Sequence, residues 1–514
     1  MALTPLVSSP PPLDSVNKAD VLAGSLRAAD PTKPLMNFSP GPTSLPQSVM
    51  ESIQTEFHSV NDCGMSALEL SHRSPEFLRI LSNTKAKMRK VLNVPDNFKI
   101  IFCQGGGHGQ FAAVPLNLAG PGESREALYV VSGTWSRRAA DEARKFADVR
   151  VVGRRGATSQ GEGLILDEGS SSPTLSSTST TPVRARGRKR KKAAAKAKQA
   201  RRPPAYVYVC SNETADGFEL TNLDDVARLA AEEGGGAPLV VDASSDLGSK
   251  RVQWEHIGAL FACTPKNLGH PGLTIVFARE DLVNGRRAQP NCPGFMDWEV
   301  LDDSDCLWNT PPTFNIYTTG KVMEWMEREG GVEEMERRTN VKAAALWSVI
   351  ENSDGFFSTP SMSMEHRSRS NVPFDVCGGD QVATEEFLLK AHAANIVGLR
   401  TMTPFGFGNY LRASLYNSVP VENAVHLAGF MEQFAAEHQH LKHQADLASE
   451  ANMKEQEQIQ QIQIQIQQQQ QQQQIQHLIQ RQMHLHQQTP WQKLPQPQQQ
   501  QAMHFHTTAE ATEP

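Results

Sequence analysis

From Met36 to about position 318 the chain repeats one pattern: a short apolar run, then a stretch with helical spacing. Lys99–Cys103 runs into a glycine cluster, and Ala127–Val131 runs into a helix-like 135–146. Further apolar runs follow at Val149–Val152, Ala205–Cys210, Leu239–Asp242, Gly258–Cys263 and Leu273–Ala278. Such alternation predicts an α/β fold, a doubly wound and mostly parallel sheet with helices on both faces. Upstream, 46–60 and 75–92 show helical spacing, with Pro46 and Pro75 placed as first-turn prolines. After 318 the texture changes to helices at 319–329, 333–352, 383–393 and 421–437 around the apolar run 371–376. That predicts a smaller α+β domain over 319–440, behind a large domain over 36–318.

Three stretches fall outside this pattern. Residues 1–35 are rich in Pro, Ser and Ala and read as a disordered leader; Asp14, Asp20 and Asp30 sit badly with an acid-poor transit peptide. Residues 155–203 pass from Gly through a Ser/Thr run to RARGRKRKKAAAKAKQARR, a solvated basic insertion between two strands. Residues 441–514 are dominated by Gln and carry His438-onward histidines interleaved with Gln and Leu, a tail expected to be disordered or helical in partner complexes. No metal is expected there, because the histidines keep no fixed ligand spacing.

Charge sharpens the division. Arg184–Arg202 holds 11 Lys or Arg and no acid, so with a net charge of −6 the remainder stands at −17. An acidic body disfavours nucleic acid as a partner except through the 184–202 strip. No apolar run reaches the ~18 residues of a membrane span, so no membrane partner is expected. The seven cysteines are scattered and never spaced C-x-x-C, which excludes a zinc ribbon and fits a reducing compartment. A cytoplasmic location is expected, with an organellar or nuclear address left open.

The candidate chemistry begins with Lys266, in the Pro/Gly-rich turn TPKNLGHPG between two apolar strands. A lysine flanked by buried strands suits a depressed pKa and amine chemistry on a carbonyl. Taken alone, its local sequence favours a surface lysine on a loop. Asp242 alters the balance, since it closes the run PLVVD at the carboxyl end of a strand, where α/β folds bind ligands; its plainer role is a helix N-cap. An Asp at one strand end and a Lys after a later strand are what a pyridoxal phosphate site needs. GGGHG at 105–109 could supply a phosphate cradle ahead of a helix, and it matches neither the Walker-A pattern nor G-x-G-x-x-G. Trp135, after Ser132-Gly133, could stack on an aromatic ring or simply fill a core. Arg73 in LSHRS and Arg412 in YLRAS suit anion recognition or structural ion pairs about equally.

Taken together, the motifs MNFSPGPTSLP, ELSHRS, FCQGGGHGQFAAVPLNL, SGTWS, CSNETADG, VVDASSD, PKNLGHPGLTIV, WNTPPTFNIY, RSRSNVPF and LRASLYN resemble the phosphoserine aminotransferases of the class-V pyridoxal-phosphate-dependent family. They occur in the family's order over about 36–437, interrupted by the basic insertion. The resemblance implies the fold-type-I architecture and a homodimer with shared active sites. It implies that Lys266 is the covalent anchor of pyridoxal 5'-phosphate and its proton shuttle, that Asp242 pairs with the pyridine nitrogen, and that Trp135 stacks on the ring. Thr214 is implied to bond near the 3′-oxygen, with Gly107 and His108 in the phosphate cradle and Asn309 and Thr310 reaching the phosphate from the other subunit. Arg73 and Arg412 are implied to bind substrate, with His72 and Arg400 nearby. The implied reaction belongs to serine biosynthesis: L-glutamate and 3-phosphohydroxypyruvate give 2-oxoglutarate and O-phospho-L-serine.

Three departures stand out: His108 where the cradle commonly has Arg, Pro265 where the residue before the lysine is commonly Gln, and Leu399-Arg400 where a His-Arg pair precedes RAS, followed by the longer loop TMTPFGFGN. Two rivals follow. One keeps the fold and changes the reaction, as in an alanine–glyoxylate type enzyme or a cysteine desulfurase. The other is a catalytically weakened member with a regulatory or nucleic-acid-associated role through the basic insertion and the Gln-rich tail.

Overall fold

The computed structural model describes residues 32–154, 164–165, 203–285, 287–359, 364–399 and 410–487. The leader up to 31, nearly all of the basic insertion, Arg400 with the loop 401–409, and 488–514 lie outside the described residues.

One eight-stranded sheet carries the structure. Its strands are β1 (Phe98–Cys103), β2 (Glu126–Val131), β3 (Asp148–Arg154), β4 (Leu164–Ile165), β5 (Val207–Cys210), β6 (Leu239–Asp242), β7 (Ile257–Cys263) and β8 (Thr274–Arg279). They lie in the order β1-β8-β7-β6-β5-β2-β3-β4. Pairing is parallel from β7 through β6, β5 and β2 to β3. Strands β5 and β6 are buried along their whole length, the near-continuous apolar texture of a sheet covered on both faces.

Two strands depart from the parallel expectation. β8 runs antiparallel to both β7 and β1, because only ten residues (264–273) separate β7 from β8 and leave no room for a crossover helix. β4, inside the expected insertion, pairs antiparallel with the end of β3. Since β8 is antiparallel to β7 and to β1, β1 is parallel to β7. The carboxyl ends of β1, β2, β5, β6 and β7 therefore share one edge.

Helices fill the faces: α1 (Gln47–Glu56), α2 (Pro75–Val91), α3 (Gly106–Leu118), α4 (Thr134–Ala143), α5 (Asp224–Glu232) and α6 (Thr313–Arg328). α2 starts with Pro75 at its first position and Ser74 Oγ accepting from the Phe77 N–H at 3.2 Å. Pro46, by contrast, sits one residue outside α1. α6 lies against α2 so closely that a Cβ at Gly320 would come within 2.6 Å of Thr84 Oγ1. Position 318 falls inside α6, and the chain up to Lys442 forms one compact unit.

Within that unit a second core is built on an antiparallel sheet of β9 (Phe357–Ser358), β10 (Asn371–Val376) and β11 (Leu411–Ser414). It is flanked by α7 (Gly331–Glu351), α8 (Gln381–Ala393) and α9 (Val421–Glu437), with Phe356, Phe357, Phe374, Phe387 and Phe434 packed edge to face. Met36–Asn37 pairs with Ile396–Val397, so the start of the expected large domain is tied to this smaller core.

The Gln-rich stretch divides. Gln439–Gln487 is one α-helix, α10, where the sequence suggested no fixed structure outside partner complexes. It contains neither Gly nor Pro and is rich in Gln, Glu, Ala, Leu and Met, whose unbranched or small side chains lose little freedom in a helix. Among the described residues no helix is long and apolar enough to cross a membrane.

Candidate active site

The shared edge of the sheet gathers five loops. The glycine turn follows β1, SGTW follows β2, SNETADG follows β5, ASSD follows β6, and TPKN follows β7. Ligands of open α/β sheets bind outside the carboxyl ends of the strands, and here the singled-out residues meet.

Asp242 ends β6, level with Cys210 of β5 and Phe261 of β7, and is only 4% exposed. Its Oδ1 accepts from the Ser244 N–H at 3.0 Å, and its Oδ2 accepts from the Tyr208 hydroxyl at 3.3 Å. Burial raises its pKa, against the lowering by Ser244 and Lys266. Lys266, half-buried, stands across from it. Burial disfavours the charged amine, as the sequence suggested, but Tyr416, Cys263, Asp242 and Cys210 around it outweigh burial, and its pKa lies above the ordinary lysine value. The expected depression is thus reversed by the company the amine keeps.

Trp135 forms one wall. The Lys266 Nζ lies 5.8 Å from its ring centroid, and its indole N–H donates to Thr214 Oγ1 at 2.7 Å. His108 meets the same ring edge-on at 5.9 Å. Arg412, buried on β11, donates from Nη1 to the Thr214 carbonyl at 2.7 Å, while its Nε is buried with no hydrogen-bond partner among the described residues. Burial lowers the Arg412 pKa, against Tyr416 and Asp216, which raise it.

The glycine turn faces this cluster. Gly105 and Gly106 adopt φ of +96° and +64°, backbone that favours glycine, and α3 starts without any side-chain cap. A Cβ at Gly107 would lie 3.7 Å from Ser244 Oγ, which places the first turn of α3 beside the loop after Asp242. On the other side, Thr43 donates its N–H to the Pro265 carbonyl at 3.1 Å, and a Cβ at Gly41 would touch that carbonyl at 3.3 Å and Lys266 Cγ at 3.6 Å. The Tyr416 hydroxyl donates to the Pro40 carbonyl at 3.0 Å and accepts from Asn371 Nδ2 at 3.2 Å.

Lys266, Asp242, Trp135, Thr214, Gly107, His108 and Arg412 are thus brought together. Others are not. Arg73 is exposed in the turn before α2, and His72 Nε2 is buried without a partner; among the described residues no hydrogen bond, ion pair or ring contact joins either to the Lys266 cluster. Asn309 and Thr310 are exposed beside Trp308, itself 58% exposed, and Thr310 meets the cradle only where its carbonyl accepts from Gln104 Nε2 at 3.0 Å. Arg400 lies outside the described residues. The sequence reading missed Glu213, Asp216, Ser244 and Tyr416. CSNETADG, VVDASSD and LRASLYN were the available signals, each carrying a polar group at a strand end beside an assigned residue.

Residues 35–162 and 180–427 match the family described as aminotransferase class-V. The chain belongs to that family. A phosphoserine aminotransferase of Polaromonas sp. is 37% identical over 412 residues, covering 79% of this chain and all of the relative. The solved structure of a phosphoserine aminotransferase with bound PLP from Trichomonas vaginalis aligns with a TM-score of 0.63 at 30% identity, covering 77% of this chain and 99% of that one. Another, from Bacillus circulans subsp. alkalophilus, aligns with a TM-score of 0.63 at 29% identity over 78% of this chain and 99% of that one.

Proposed function

We propose that this chain is a phosphoserine aminotransferase, transferring the amino group of L-glutamate to 3-phosphohydroxypyruvate with pyridoxal phosphate as cofactor. The observation that carries the reading is the meeting of Lys266, Asp242 and Trp135 around one edge of the sheet, beside an uncapped glycine-rich helix start.

The donor set fits the cofactor. A buried carboxylate can hold a ring nitrogen protonated, an indole can cover the ring, and the unpaired N–H groups at the start of α3 can take a phosphate dianion. Lys266 is the amine within reach of an aldehyde. When bound, pyridoxal phosphate supplies an electron sink that acidifies the Cα–H of an attached amino acid.

The residues then divide the work. Lys266 Nζ takes the substrate's Cα proton and returns a proton on the cofactor's C4′ side, as general base and then acid. For that it must be neutral, and its raised pKa means a proton must leave it before each abstraction. Trp135 excludes water from one face, and its bond to Thr214 keeps the Thr214 hydroxyl turned to the same place. Arg412 offers its unpartnered Nε–H, and both keto acids carry two anionic groups that such a cation can bind. Asn309 and Thr310 act on the partner's cofactor phosphate in a homodimer, supported by their exposure next to Trp308 and Phe295. His72, Arg73 and Arg400 complete the substrate side.

The test is a visible absorption spectrum of the purified chain. An aminotransferase carries a coloured cofactor band that glutamate bleaches and 3-phosphohydroxypyruvate restores. A chain that binds pyridoxal phosphate but leaves the band unchanged with glutamate would refute the assignment.

A further inference from the structure

Helix α4 begins where Trp135 must be aimed, and its first N–H groups have no partners within the helix. The residue before it is Gly133, with no side chain to cap them. Acceptors arrive instead from the loop after β5. Asp216 Oδ2 accepts from the Thr134 N–H at 2.9 Å, and Glu213 Oε2 accepts from the Trp135 N–H at 2.7 Å. Glu213 Oε1 accepts from the Ser136 N–H at 2.9 Å and from the Ser136 hydroxyl at 2.5 Å. Only glycine allows this approach, since a Cβ at 133 would lie 2.6 Å from Asp216 Oδ2 and 2.7 Å from Glu213 Cδ.

Trp135 is thereby held at two points by consecutive residues, its backbone N–H by Glu213 and its indole N–H by Thr214. We infer that Glu213 is a positioning residue that fixes the plane of Trp135 against the cofactor ring. The inference rests on the proposed placement of Trp135 at that ring. Both carboxylate oxygens of Glu213 face N–H donors, so an amide in its place would set its own NH2 against a donor. Glu213 is fully buried, and burial pushes its pKa up to about 7, with Ser136 lowering and Asp216 raising it. A plain helix cap needs no such residue, because Ser or Asn serves that end without burying a charge.

The experiment is a mutant cycle on the full chain, with pyridoxal phosphate affinity read by titration of the visible band and ring orientation read by the induced circular dichroism of that band. Glu213→Gln should weaken cofactor binding about tenfold and change the dichroism. Trp135→Ala should weaken binding as well, and the double variant should bind as Trp135→Ala alone does, because Glu213 acts through Trp135. If Trp135→Ala weakens binding while Glu213→Gln leaves affinity and dichroism unchanged, or if the two effects simply add, the inference about Glu213 fails alone. If Trp135→Ala itself leaves binding and dichroism unchanged, the placement of Trp135 fails first and the inference with it. Should Glu213→Gln not fold by far-ultraviolet circular dichroism, Glu213→Asp is read in the same cycle, and additivity there overturns the inference equally.

Discussion

Glu219 ties the loop that carries Thr214 to the smaller core, and replacing it by Gln should cost stability without touching the reacting groups. Its carboxylate is buried and accepts from Lys250 Nζ at 3.0 Å, Arg369 Nη2 at 2.7 Å and the Arg369 N–H at 2.8 Å. Burial acts to raise its pKa, but Lys250 and Arg369 overcome this and hold it down to about 2, against an ordinary 4.5. At about 1.4 kcal/mol per unit, a gap of roughly 2.5 units corresponds to about 3 kcal/mol of stability at neutral pH. A depressed carboxyl stabilises the fold above its unfolded pKa, and that contribution is lost as pH falls from about 4.5 through 2. Lys250 keeps Asp246 at 2.9 Å and Arg369 keeps Glu336 at 3.3 Å, so the stranded cations are not left bare. Urea denaturation of Glu219→Gln at pH 7, at fixed protein concentration, should show a loss of about 2–3 kcal/mol with an unchanged m-value. An unaltered midpoint at pH 7 would refute the reasoning, as would a loss that stays constant down to pH 3.

Three further outcomes follow from the site. Asp242→Asn should lower kcat by on the order of a hundred- to a thousandfold in steady-state assays while the cofactor stays bound, because an amide cannot balance a charged ring nitrogen; normal turnover would deny Asp242 that role. Arg412→Lys should lower kcat/KM for 3-phosphohydroxypyruvate by about tenfold to a hundredfold with cofactor affinity unchanged, since a point charge replaces a fork of donors; equal kcat/KM would place the substrate elsewhere. For Glu213 the pKa is raised, from 4.5 to about 7, so its contribution to stability is full below pH 4.5 and is lost as pH rises through 7. Glu213→Gln should therefore lack that fall in urea denaturation across pH 4.5–7.5, and an unchanged pH slope would count against the shift.

The parts of the site legible in the sequence are those fixed by strand ends. An apolar run such as PLVVD announces its own carboxyl end, so Asp242 could be placed beside Lys266 before any coordinates. The direction of β8 could not be read from Leu273–Ala278, because a buried strand looks alike whichever way it runs; the short connection is what decides it. α5 was missed as a nine-residue helix between loops. α3 was recognised only from about Gln110, since its start is glycine and Pro115 interrupts its pattern. Glu213 escaped notice because its partner Trp135 stands 78 residues earlier, and no local pattern reports a pairing across strands. The long helix of the Gln-rich stretch shows composition misjudged in the other direction: residues too polar to build a core are still good helix formers.

The central claim concerns one amine among several buried ones. Lys342, for example, is fully buried, donates to the carbonyls of Leu415, Tyr416 and Val419 at 2.7–3.1 Å, and is pushed down by burial to about 7. Reducing the purified, coloured chain with borohydride and mapping the cofactor-modified peptide by mass spectrometry separates these amines directly. The account predicts the modification on Lys266, within TPKNLGHPG, and none in a Lys266→Ala chain that keeps its far-ultraviolet circular dichroism. Modification at Lys342, Lys250 or any other lysine, with Lys266 left free, would contradict it.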